Sequence, residues 1–97
     1  IRRFGRLEID GARHLASVDG ERIYLSPKEY ELLAYFADNE GMALSREQIL
    51  NSVWDYDYFG DIRTVDTHVK RLRAKLGDAA EYIQTVRSVG YRFEALQ

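Results

Sequence analysis

Apolar positions recur along this chain in two periods, and the change falls near residue 26. Before it they come in short runs: Phe4, Leu7 and Ile9, then Leu15 and Val18, then Ile23 and Leu25. The period-2 spacing of Leu7/Ile9 and Ile23/Leu25 is that of strands with one buried face. Asp10-Gly11 and Asp19-Gly20 separate the runs, and Asp-Gly supplies the positive φ angles of a tight hairpin turn. The segment predicts a meander of short strands.

From residue 26 the spacing becomes helical. Ser26 caps the free amides of a first helix, Pro27 suits its first position and Glu29 completes a capping box. Leu32, Leu33, Phe36 and Ala37 form its apolar stripe, and Gly41 supplies a stop. A second helix is predicted after Ser45, with Gln48 as box partner and a stripe of Ile49, Leu50, Val53 and Trp54. A loop follows over residues 55–61. The third helix runs from about Thr64 to Leu76 and is ended by Gly77. Last comes a strand pair, Tyr82 to Val86 and Tyr91 to Phe93, in which Gly90 permits the turn and Arg87 stands at or near the tip. Sheet, three helices and hairpin in this order predict an α+β fold, a winged helix-turn-helix with an extra N-terminal sheet. There is no internal repeat, linker or low-complexity segment.

At 97 residues the chain fits one domain, 1–97, whose folding buries roughly two-thirds of the unfolded surface. No apolar run approaches the ~20 residues of a membrane-spanning helix. The chain opens on Ile1 and shows no signal peptide, which suggests a piece of something longer. With no cysteine there is no disulfide, thiolate nucleophile or cysteine-bound zinc, which suits a reducing cytoplasm. The net charge of −2 argues weakly against nucleic acid, but its distribution reverses that impression. Residues 1–62 carry 7 basic against 12 acidic side chains, and residues 63–97 carry 7 against 4. Within 63–75 the count is 5 against 1. A docking face responds to this local field rather than to the sum.

On a helical wheel Val65, Val69, Leu72 and Leu76 fall within about 60° of one another, a core-facing stripe. The opposite side carries Arg63, Thr67, Lys70, Arg71 and Ala74, with His68 and Lys75 on one flank and Asp66 and Arg73 on the other. Small residues allow close approach, and long cations reach phosphates or base edges. Such a helix, about 20 Å long, fits a major groove about 12 Å wide. A solvated surface helix would mix both signs along this face. A cation on the hairpin, Arg87, is placed for the adjacent minor groove. No enzyme is expected. Asp55, Asp57 and Asp61 lack the ligand spacing of a metal site, and His14 and His68 lie on different elements with no nucleophile partner, so neither metal nor cofactor is implied. The alternative is a winged helix used as a protein-interaction module, which would show apolar residues where Arg63, Lys70 and Arg71 stand.

Residues 63–76, RTVDTHVKRLRAKL, followed by IQTVRSVGYRF at 83–93, resemble the C-terminal effector domain of the OmpR/PhoB response regulators. Leu25 to Leu33 matches that family's first-helix signature and Ser45 to Trp54 its second helix, so the resemblance covers nearly the whole chain. It implies an N-terminal four-stranded antiparallel sheet, a three-helix bundle and a C-terminal hairpin wing. It also implies an N-terminal receiver domain, absent from this chain, that a sensor kinase phosphorylates. The resemblance further implies head-to-tail binding of double-stranded DNA on direct repeats; no residual apolar stripe is left for self-association, so the domain is expected to be monomeric alone. Arg63, Thr64, Thr67, His68, Lys70, Arg71 and Arg73 fall where the family contacts DNA from its recognition helix. Arg87 falls on the minor-groove arginine of the wing and Thr85 on a wing backbone contact. Trp54 falls where the second helix meets phosphate, and its place on an apolar stripe equally allows a core role. Thr67 stands where many relatives have an aliphatic residue, and Ser88 where many have glycine.

The loop between the second and third helices is longer than the turn of a minimal helix-turn-helix. In relatives it touches RNA polymerase, which makes Asp55, Tyr56, Asp57, Tyr58 and Asp61 a candidate polymerase surface. The competing reading folds the aromatics onto the core and leaves the aspartates solvated.

Overall fold

The computed structural model describes residues 1–54 and 60–95. Strands β1 (Arg2–Phe4), β2 (Leu7–Asp10), β3 (Leu15–Val18) and β4 (Glu21–Ile23) form an antiparallel sheet in chain order. The register pairs Leu7 with Val18 and Ile9 with Ala16, so these four share one face and all are buried. Leu15 falls by alternation on the other face and is only partly buried, so Ala16 and not Leu15 partners Val18 in the core. Asp19 and Gly20 make the expected two-residue turn at φ 54° and 83°. Asp10-Gly11 does not. Four residues separate β2 from β3, and the positive φ of 54° belongs to His14, whose ring stacks on Tyr30 at 4.6 Å.

Helix α1 (Pro27–Asp38) begins in the capping box read from the sequence. Ser26 Oγ accepts from the Glu29 amide at 3.2 Å, and Glu29 Oε1 accepts from the Ser26 amide at 2.8 Å. The helix ends at Asp38 with Asn39 as its cap, so Gly41, at φ 86°, serves the turn that follows rather than the helix end. A short strand, β5 (Ala43–Ser45), precedes helix α2 (Arg46–Val53), whose box joins Ser45 and Gln48 at 3.0 and 2.8 Å. Helix α3 (Arg63–Leu76) starts one residue earlier than the apolar pattern indicates and stops at Gly77, φ 57°. A 3₁₀ turn over Gly77–Tyr82 leads into β6 (Ile83–Val86) and β7 (Gly90–Phe93), so Tyr82 is not a strand residue.

The wing is a three-stranded sheet of order β5-β7-β6 rather than a bare hairpin. Gly90 matters for that third strand. A Cβ at residue 90 would stand 2.2 Å from the Leu44 carbonyl oxygen of β5, a separation no side chain tolerates. The two sheets are joined through the core. Tyr82 Oη accepts from the Arg6 amide at 3.0 Å, and Phe4 meets Phe93 edge-on at 5.3 Å. Leu32, Leu33 and Phe36 of α1, Ile49 of α2, and Val65, Val69, Leu72 and Leu76 of α3 converge in the centre, each at most 1% exposed. Fully burying one such side chain contributes roughly 1.5–3 kcal/mol. That burial fixes the rotation of α3 and so decides which residues face outward. No helix among the described residues is long and apolar enough to cross a membrane.

Candidate nucleic-acid interface

With its aliphatic stripe buried, α3 turns Arg63, Thr67, Lys70, Arg71 and Ala74 to solvent. Among the described residues Lys70 and Arg71 have no ion pair or hydrogen bond, so their charges are available to an anionic ligand. Arg63 differs. Its Nε and Nη2 donate to Asp61 Oδ2 at 2.9 and 2.6 Å, and its amide donates to Asp61 Oδ1 at 2.9 Å. These hydrogen bonds pull the Asp61 carboxyl from its ordinary 3.8 down to about 2. Asp61 thereby satisfies a free amide at the start of α3, a local role beside the polymerase contact that the resemblance implies. Both side chains are more than half exposed, so water and salt weaken their attraction. Asp55, Tyr56, Asp57 and Tyr58 lie outside the described residues.

Thr67 Oγ1 donates to the Arg63 carbonyl at 3.2 Å. Its proton is committed to its own helix, leaving a methyl group and acceptor lone pairs for a ligand. Thr64 and His68 are partly buried on one flank. His68 Nδ1 lies 2.9 Å from the Thr64 carbonyl, which only accepts, so Nδ1 carries the proton and Nε2 is the nitrogen left to a ligand. The Trp54 ring meets His68 edge-on at 4.9 Å, and Lys28 Nζ lies 5.6 Å from its centroid. Trp54 is half-buried, packed against the core and joined to the α3 flank.

The flanking cations of α3 face protein. Lys75 Nζ donates to buried Glu29 Oε1 at 2.5 Å. Burial alone would raise the Glu29 carboxyl, but hydrogen bonds from Lys75 and Ser26 bring it below its ordinary value. Arg73 reaches the wing, donating from Nε and Nη2 to the Ile83 carbonyl at 3.0 and 2.8 Å and from Nη2 to Thr85 Oγ1 at 3.0 Å. Asp66 accepts from Tyr91 Oη at 2.6 Å and from Arg46 Nη2 at 2.8 Å. Arg46, Asp66 and Tyr91 were not singled out by sequence. A polar residue on a wheel flank gives no sign of its partner, and Arg46 belongs to no apolar pattern.

The wing tip is a turn closed by Val89 N–H donating to the Val86 carbonyl at 3.0 Å. Arg87 is exposed there, and Ser88 takes the left-handed conformation at φ 67°. Between the tip and α3 lies a groove of about 500 Å³ lined by Arg46, Asp66, Thr85, Arg87 and Tyr91 among others. Among the described residues of α3 only Asp66 lines this groove, and from the wing Arg87 does. Thr85 stands within it, bonded to Arg73.

Residues 20–93 match the family described as transcriptional regulatory protein, C terminal. The transcriptional regulatory protein SrrA of Staphylococcus aureus is 53% identical over 95 residues, which cover 94% of this chain but only 39% of SrrA. Among solved structures, the DNA-binding domain of Klebsiella pneumoniae RstA superposes with a TM-score of 0.87 at 34% identity, covering 98% of this chain and 97% of that one. DrrB, an OmpR/PhoB homolog from Thermotoga maritima, gives 0.87 at 36% identity over 96% of this chain and 43% of its own. This is a family of transcriptional regulators rather than enzymes. The chain belongs to the OmpR/PhoB response regulators, as a C-terminal winged-helix domain of the kind found in transcriptional regulatory proteins.

Proposed function

We propose that this domain binds double-stranded DNA sequence-specifically and regulates transcription as the effector part of a two-component response regulator. The carrying observation is the exposed cationic face of α3, where Lys70 and Arg71 are uncommitted among the described residues, together with exposed Arg87 at the wing tip. The RstA domain, alike over nearly its whole length, was crystallised in complex with the RstA box. In this reading α3 enters the major groove and the wing reaches the minor groove. Lys70 and His68 hold phosphates, Thr64, Thr85 and Trp54 border the backbone, and Arg63, Thr67 and Arg71 lie nearest the bases. Phosphate contacts supply most of the affinity and fix register, while groove contacts give sequence preference.

The same reading places the domain behind a phosphorylated receiver in the bacterial cytoplasm, monomeric alone and paired head to tail on direct repeats. The 55–61 loop is then the surface for RNA polymerase. Asp55→Ala and Asp57→Ala test that contact more cleanly than Asp61→Ala, because Asp61 also holds the start of α3. Loss of transcription with unchanged DNA binding is expected, and unchanged transcription would remove the polymerase role.

Selection from a random duplex library tests the main reading. The expected winner is a direct repeat spaced near one helical turn. No enrichment over an arbitrary duplex would contradict sequence-specific binding.

A further inference from the structure

Arg73 lies on the recognition helix, yet its guanidinium is turned to the wing. Nε and Nη2 both reach the Ile83 carbonyl, and Nη2 also reaches Thr85 Oγ1. Its guanidinium carbon lies 5.4 Å from the centroid of the Tyr91 ring. Thr85 and Tyr91 are register partners across β6 and β7, so one side chain spans the two strands that carry the tip. Seven residues earlier, two helical turns along the same side of α3, Asp66 accepts from the hydroxyl of that same Tyr91 at 2.6 Å. Tyr91 is therefore held at its ring by Arg73 and at its hydroxyl by Asp66. Arg46 Nη2 braces Asp66 from the start of α2 at 2.8 Å.

We infer that Arg73 is a positioning residue, which with Asp66 and Tyr91 fixes the wing relative to α3 so that both meet the duplex in register. The inference rests on the reading that α3 and the wing bind one DNA together. A helix and a wing that read adjacent grooves must be held at a set distance and angle, because a small misplacement of either loses its contacts. Two attachments two turns apart fix an angle, where a single one would leave a pivot. The contacts also need a guanidinium. A fork binds a carbonyl and a hydroxyl together while lying against a ring, and an ammonium cannot reproduce that arrangement. A phosphate contact makes no such demand, since lysine serves there as a point charge.

The test is a double-mutant cycle between Arg73 and Arg87, read as affinity and salt slope on a duplex selected with the wild-type domain. Arg73→Gln and Arg87→Ala are each expected to weaken binding on the order of tenfold. In the Arg87→Ala background, Arg73→Gln is expected to add little and to leave the salt slope unchanged. Arg73→Lys is expected to fail to restore affinity, and Tyr91→Phe, which removes the attachment to Asp66 and leaves every assigned DNA contact in place, to reproduce part of the loss. Additive losses, a further fall of about 0.9 in the log–log slope, or rescue by Arg73→Lys would overturn the inference and make Arg73 a phosphate contact. Should Arg73→Gln not fold, Arg73→Lys and Tyr91→Phe carry the same comparison. A wild-type domain that binds no selected duplex would instead overturn the underlying DNA reading, and the inference with it.

Discussion

The hydroxyl of Tyr91, on the inner strand of the wing, donates a 2.6 Å hydrogen bond to Asp66 on the flank of α3. Burial, then the Asp66 carboxylate, push the Tyr91 hydroxyl up to about 12 from its ordinary 10. A group whose value rises on folding stabilises the fold fully below its unfolded value and loses that contribution as pH climbs through the folded one. The domain should therefore lose stability between about pH 10 and 12 through this residue. Tyr91→Phe should cost about 1.5–3 kcal/mol at neutral pH, toward the lower end because Asp66 is partly solvated. The difference between wild type and Tyr91→Phe should narrow above pH 10. Urea melts at pH 7 and pH 11 check this, and an equal gap at both would refute it.

At the acid end, Glu29 is held below its ordinary 4.5. A lowered value on folding stabilises above the unfolded value and is lost as pH falls through the folded one. Glu29→Gln should destabilise the domain by about 1.5–3 kcal/mol at pH 7, on the scale of hydrogen bonds to a charged group. The gap should shrink below pH 4.5 and close once Glu29 is protonated in both states. A gap that persists at pH 2 would show that packing, rather than the charge, sets the cost.

Two residues of the wing should respond in opposite directions. Ser88 occupies φ 67°, where glycine is unstrained, so Ser88→Gly should stabilise by about 0.5–1 kcal/mol. Gly90→Ala sets a methyl group against the Leu44 carbonyl and should cost about 1–3 kcal/mol or detach β5. Thermal melts of both variants check the pair. Stabilisation by Gly90→Ala would disprove the close approach of β5 and β7.

On the binding face, Lys70 and Arg71 should separate affinity from specificity. Lys70→Ala should weaken binding about equally for every duplex and lower the salt slope by about 0.9. Arg71→Ala should relax preference at one base position, at about 1–3 kcal/mol of discrimination. Titrations against a set of single-base variants distinguish them, and uniform loss for both would contradict the division.

The fold was legible wherever a long run of side chains repeats one environment. The α3 stripe of Val65, Val69, Leu72 and Leu76 and the boxes at Ser26 and Ser45 are local patterns, and each is found where the pattern places it. β5 was not legible, since three residues hold no period and Ala43–Ser45 becomes a strand only because β7 lies beside it. The same limit explains the cations. The wheel turns Lys70 and Arg71 outward correctly, but nothing near Lys75 points to Glu29, 46 residues earlier in the chain. Nor does anything near Arg73 point to Ile83 and Thr85. Outwardness is set by local pitch, whereas partner choice is set by tertiary packing.

The most direct measurement is backbone amide shift mapping by NMR as a selected duplex is titrated into the domain. The expected result is perturbation confined to α3 from Arg63 to Ala74, the neighbouring end of α2 at Trp54, and the wing from Thr85 to Val89. Perturbation centred on β1 to β4, with α3 and the wing unmoved, would contradict the DNA-binding face assigned to α3 and Arg87.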